Sequence, residues 1–145
     1  VTLAAELTTD PLSRGYAQFI PDSPGILADM MNAQIYSMPK ERFVTARGVL
    51  AAHGAAGATI LDKLESAASS VSMIKWALSF LKTDGGIDVG HANTRALIDQ
   101  LAAGGVLTST EAGLIKDMAI QPASRADILG LGYVREADIR SALSA

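Results

Sequence analysis

His53 and His91 are the two side chains best suited to move a proton or hold a metal near neutral pH. Neither shares a helix with a second histidine or a carboxylate at the three-or-four spacing that builds a helical metal site. His53, in "AAHGAAG", reads as a helix C-terminal residue favoured by the helix dipole, and His91, after "DVG", as an N-terminal cap or a contact residue. Asp84 and Asp88 put two carboxylates into the glycine-rich "DGGID". The alternating oxygen ligands and distal glutamate of a calcium loop are missing there, so a solvated turn is expected. No Gly-Lys-Ser/Thr follows a glycine pair, no dinucleotide fingerprint stands between a strand and a helix, and no serine sits in a nucleophile elbow. Cysteine is absent, which removes thiol nucleophiles, thiolate metal sites and disulfides. The expectation is a chain with no catalytic residues, no cofactor and no metal, and thus not an enzyme.

Composition narrows the class further. With 145 residues, 49% of them hydrophobic and 19% charged, the chain is expected to form one packed domain over residues 1–145. A net charge of -3 argues against a mainly electrostatic grip on phosphate backbones or anionic lipid, so nucleic acid and membrane are not expected partners. No apolar run approaches the roughly 20 residues that span a bilayer, and "VTLAAELTTD" lacks the basic head and apolar stretch of a signal peptide. A soluble chain made in the cytoplasm is expected.

Apolar residues recur at three and four rather than at two, which predicts an all-α fold, a compact bundle of about seven or eight short helices with an irregular N-terminal arm. The first helix is read as Thr2 to Leu7, ended by "TTDP", in which Asp10 can cap and Pro11 opens the next turn. Ser23 precedes a helix to about Asn32. Lys40 to about His53 carries Phe43, Val44, Arg47 and Leu50 at helical spacing, and Thr59 to Ser66 follows. Val71 to Leu81 is apolar on more than one face and is expected to be the most buried helix, with Trp76 and Phe80 in the core. Asn93 or Thr94 is expected to cap a helix to about Ala103. Thr108 with Glu111 predicts a capping box for Glu111 to Ala119, and Ser124 with Asp127 a second for Arg125 to Leu129. Arg135 to Leu143 is the last helix.

Two features point to partners. Phe19, Ile20, Met30, Met31, Ile35, Tyr36 and Met38 lie in a stretch broken by Pro, Gly and Asp, so residues 1–38 are a candidate contact arm. Arg125, Arg135 and Arg140 stand around a short helix pair that resembles a helix-turn-helix, yet Glu136 and Asp138 among them would repel phosphate, and a salt-bridged solvated face is expected.

"LAAELTTDPLSRGYA" at the start, "RFVTARGVLA", "AAGATILDKLESAA" and "SMIKWALSFLKTDGGIDVGHANTRALIDQLAAGGVLTSTEA" in the middle, and "QPASRADILGLGYVREADIRSAL" at the end resemble small proteins encoded in the structural modules of tailed bacteriophages and prophages. The likeness covers most of the chain, and "LTTDPL" followed by "RGYA", together with "ASRADILGLG", is its most specific part. It departs after Ala17: the family often continues into glycine-methionine and an acidic helix, where "QFIPDSPG" stands here.

The resemblance implies a virion component made in the bacterial host cytoplasm, working with other virion proteins through repeated contacts in the head-to-tail connection or tail, in a symmetric assembly. Leu7, Pro11, Tyr16, Phe19 and Ile20 are the candidate contact residues. A decoration protein on the outer surface, and a DNA-binding regulator or packaging accessory, are the alternatives.

Overall fold

The computed structural model describes residues 1–145. It is all-α in character, with nine helices, eight of them seven residues or longer, and two very small two-stranded sheets. In order these are α1 (Leu3–Thr9), a 3-10 turn (Tyr16–Phe19), α2 (Pro24–Asn32), β1 (Tyr36–Pro39), β2 (Phe43–Val44), α3 (Ala46–His53), α4 (Ala55–Ala68) and α5 (Ser72–Leu81). There follow β3 (Ile87–Asp88), α6 (Ala92–Ala103), α7 (Ser109–Asp117), β4 (Ile120–Ala123), α8 (Arg125–Ile128) and α9 (Glu136–Ser144). β1 pairs with β4, and β2 runs antiparallel to β3 with Phe43 opposite Asp88 and Val44 opposite Ile87.

The chain divides into two packed units. The first joins Val1–Met38 to Pro122–Ala145, around Leu7, Tyr16, Leu27, Met31, Ala126, Val134 and Ile139. The second, Pro39–Gln121, has its own core, which includes Val49, Ile60, Ile74, Leu78, Val89, Ile98, Leu101 and Ile115.

Local signals set most helix starts. The Thr2, Thr45 and Thr108 hydroxyls accept backbone amides at the starts of α1, α3 and α7, and both expected capping boxes are present, Thr108 with Glu111 and Ser124 with Asp127. α6 is capped by His91, whose Nδ1 accepts the Asn93 amide at 3.1 Å, and not by Asn93 or Thr94. The helix expected from Lys40 begins only at Ala46, because Phe43 and Val44 are taken into the β2–β3 ladder and Thr45 supplies the cap. α4 starts at Ala55 directly after Gly54, and tolerates Gly57 because a Cβ there would meet the Val49 carbonyl oxygen at 2.6 Å.

Gly113, inside α7, is different: a Cβ there meets nothing within 4 Å. Gly113→Ala is therefore expected to stabilise the protein by about 1 kcal/mol, the difference in helix propensity. Its urea midpoint should rise with an unchanged slope.

Candidate functional site

Unit one holds a connected set of charged and aromatic side chains. Glu6, on α1, is fully buried, and its two oxygens accept from the Arg125 guanidinium, Oε1 from Nε at 2.7 Å and Oε2 from Nη2 at 2.9 Å. The Tyr16 hydroxyl donates to Glu6 Oε1 at 3.3 Å and accepts from Arg14 Nη1 at 3.1 Å. Arg14 lies against the rings of Tyr16 and Tyr36, 5.6 Å from each centroid, and its Nη2 donates to the Met30 carbonyl at 2.7 Å. Burial holds the Tyr16 hydroxyl above its ordinary pKa, while the bond that Arg125 donates to Glu6 raises the pKa of Arg125.

The backbone between α1 and the 3-10 turn is fixed by Asp10. This residue takes φ 43° at the end of α1, and its carboxylate accepts the amides of Arg14 at 2.7 Å and Gly15 at 2.8 Å. It thus ends one helix and holds the following loop, instead of capping a new helix. At the other end of the chain, the Asn32 side-chain amide makes a reciprocal pair with the Val134 backbone, donating to its carbonyl at 2.7 Å and accepting its amide at 2.9 Å.

The residues of "LTTDPLSRGYA" and "ASRADILGLG" therefore meet around Glu6. Every buried side-chain nitrogen and oxygen has a hydrogen-bond partner, so these groups hold the fold. Of the candidate contact residues, Leu7 and Tyr16 are core side chains, Phe19 and Ile20 are half-buried against that core, and Pro11 alone is exposed. Met31 is also buried, and of the wider apolar stretch only Ile35, 65% exposed, presents most of its side chain to solvent.

The remaining candidates are separated and engaged. His53 Nε2 stands 3.1 Å from the Leu114 carbonyl oxygen. Asp88 Oδ1 accepts the amides of Arg42 and Gly90, both at 2.9 Å, while Asp84 is an exposed turn residue. No three His, Asp or Glu side chains come together as a metal would require. Arg125 is committed to Glu6, and Arg140 pairs with Glu136 at 2.9 Å one turn away, so two of the three arginines of the helix pair are already matched by acids. No helix is long and apolar enough to cross a membrane.

Unit two supplies what the sequence reading placed wrongly. Trp76 is 61% exposed, Phe80 55% and Met73 59%; they are not core residues. α5 buries only Ile74, Leu78 and Leu81, and shows solvent a stripe of large apolar side chains at spacings of three and four. The signal was in the sequence: the apolar arc of α5 is wider than the single face a small core can cover. Against the buried face lies an apolar cavity of about 60 Å³ within the core of unit two, lined by residues that include Val49, Ile60, Ile74, Leu78, Ile98 and Ile115.

Two carboxylates tie stability to acid pH. Burial alone would raise Asp10, but the amides of Arg14, Gly15 and Tyr16 and the Arg14 charge outweigh it and hold the carboxyl below its ordinary 3.8. Glu111 is held below 4.5 by its bond with Lys63, at 2.6 Å, and by the Thr108 amide. Depressed folded-state values mean that both contributions are complete above the unfolded pKa and disappear as pH falls through the folded one. Stability should thus fall with acid below about pH 4.5, and Asp10→Asn and Glu111→Gln should each flatten that limb of urea midpoint against pH.

The chain matches no family model, no curated protein and no solved structure.

Proposed function

We propose that this chain is a non-enzymatic structural protein of a tailed-phage particle, acting through repeated protein contacts in the head-to-tail connection or tail. The observation that carries the reading is where the residues of the resemblance stand. Asp10, Arg14, Gly15, Tyr16, Ser124, Arg125 and Asp127 interlock around a buried carboxylate or hold the backbone beside it, with no buried side-chain polar atom left unpaired. What the chain shares with phage proteins is then a scaffold, and a scaffold works by the surface it presents. The exposed aromatic face of α5 supports a contact role, since a soluble single copy gains nothing from showing water its one tryptophan.

The test is the stoichiometry of the protein in isolated particles, by quantitative mass spectrometry, beside light scattering of the purified chain. About six or twelve copies per particle supports a connector or tail ring. Hundreds of copies would replace that station with outer-surface decoration. Absence from the particle would overturn the virion reading and favour the regulator, for which salt-sensitive DNA retention lost in Arg135→Ala is the check.

A further inference from the structure

We propose that the exposed face of α5 is a docking site for an amphipathic helix of another protein, which lays aliphatic side chains on Met73, Trp76 and Phe80 and a carboxylate on Lys75. The inference stands apart from the virion reading and would survive its failure.

The face is a single stripe. Met73, Trp76 and Phe80 fall on one side of α5 by helical period, and Ala77 stands between Met73 and Phe80, one turn from each. Ala77 turns inward, lining the core cavity with Leu78 and Leu81, whereas Met73, Trp76 and Phe80 stand outside it. Side chains at helical spacing on a partner helix match such a stripe.

Size and charge select the occupant. Three side chains, each a little over half exposed, offer on the order of 300–400 Å², whereas a stable globular dimer buries about 800 Å² on each partner. A single helix is the right scale. Lys75 flanks the stripe with its ammonium 5.9 Å from the Trp76 ring centroid, and no carboxylate pairs with it. α5 itself, "SMIKWALSFL", carries no acid, so a second copy packed helix on helix would set lysine near lysine with no acid on either α5. A partner helix with a glutamate or aspartate beside its apolar face answers both demands.

Trp76, the chain's one tryptophan, reports the event. The probe is a synthetic amphipathic helix of roughly 15 residues with leucine at helical spacing and glutamate flanks, compared with the same peptide carrying lysine flanks. The expected result is a blue shift of Trp76 emission with saturable binding of the glutamate peptide, about three- to fivefold tighter than the lysine peptide, with the order reversed in Lys75→Glu. Phe80→Ala should weaken binding by about tenfold or more. These positions are exposed, so circular dichroism should report unchanged folding. Equal affinity for both peptides in wild type and Lys75→Glu, or no emission change at millimolar peptide, overturns the proposal. So does a concentration-dependent dimer in light scattering that Met73→Glu abolishes, which would make a second copy the occupant. A blue shift produced by neutral phosphatidylcholine vesicles but by neither peptide overturns it too.

Discussion

Arg125→Met is expected to destabilise unit one by about 3–5 kcal/mol, among the largest losses any single substitution in this chain would cause. The reason is the state in which it leaves Glu6. That carboxylate has no exposure to water, and the guanidinium engages both of its oxygens. With the arginine gone, one 3.3 Å bond from the Tyr16 hydroxyl remains to hold a buried negative charge. A lost charge-assisted bond costs little when water can replace it; here water cannot, and the full desolvation cost of the anion appears.

The pair itself need not be net stabilising. Glu6→Gln added to Arg125→Met removes the orphaned charge and should recover much of the loss, and replacing both with methionine should come close to wild type or exceed it. Tyr16→Phe, which removes one neutral donor, should cost about 1 kcal/mol and couple strongly to Glu6→Gln in a double-mutant cycle. The readout can be specific to unit one, because Tyr16, Tyr36 and Tyr133 all lie in it while Trp76 lies in unit two. Tyrosine near-ultraviolet dichroism through a urea titration should move in Arg125→Met. A loss below about 1 kcal/mol at unchanged slope would mean that Glu6 is hydrated and the pair ordinary.

What the sequence disclosed and what it withheld divide by distance along the chain. Both capping boxes were legible because donor and acceptor stand three residues apart, and so was the ending of α6 at the Gly104–Gly105 pair. The strands were not: β2 reads as helix from Phe43, Val44, Arg47 and Leu50 until Asp88 and Ile87, more than forty positions on, supply its partners. A two-residue ladder leaves no period to detect.

Two of the candidate contact residues are core side chains for a related reason. Leu7 and Tyr16 look idle among prolines and glycines, but they fill a core closed by Ala126, Val134 and Ile139 from the far end of the chain, and the Glu6–Arg125 pair spans 119 positions. Trp76 and Phe80 erred the other way. Aromatic residues on a helix suggest burial, yet the buried side of α5 was already filled by Ile74, Leu78 and Leu81. Counting the width of an apolar arc is more informative than the identity of its largest residue.

Gly90→Ala is expected to cost about 3 kcal/mol, the upper end for an overpacked site, without any change in backbone preference. A Cβ at Gly90 would land on the Lys40 carbonyl group and stand 3.1 Å from the Glu41 amide. Those atoms are main chain and cannot swing aside. The segment they belong to is also fixed from both sides. The Lys40 amide donates to the Ala119 carbonyl at 3.0 Å, and the Gln121 side chain donates to the Glu41 carbonyl at 3.2 Å. On the other side, the Arg42 amide donates to Asp88 Oδ1 at 2.9 Å and the Val89 amide to the Arg42 carbonyl at 3.0 Å. Moving residues 40–42 to admit a methyl group strains one set of bonds or the other. It also pulls on Val44 and Val89, which are both buried in the core of unit two.

Gly105→Ala is the control. Gly105 has φ +79° and open space where a Cβ would stand, so alanine there costs only the left-handed backbone penalty, about 1–2 kcal/mol. Amide exchange should separate the two: Gly90→Ala should speed exchange at Val89 and Arg42, whereas Gly105→Ala should leave both slow relative to its own global stability. Equal losses with no local signature at Val89 would mean that the 40–42 segment yields freely, and that the close approach of these two backbone segments contributes little to holding β2 against β3.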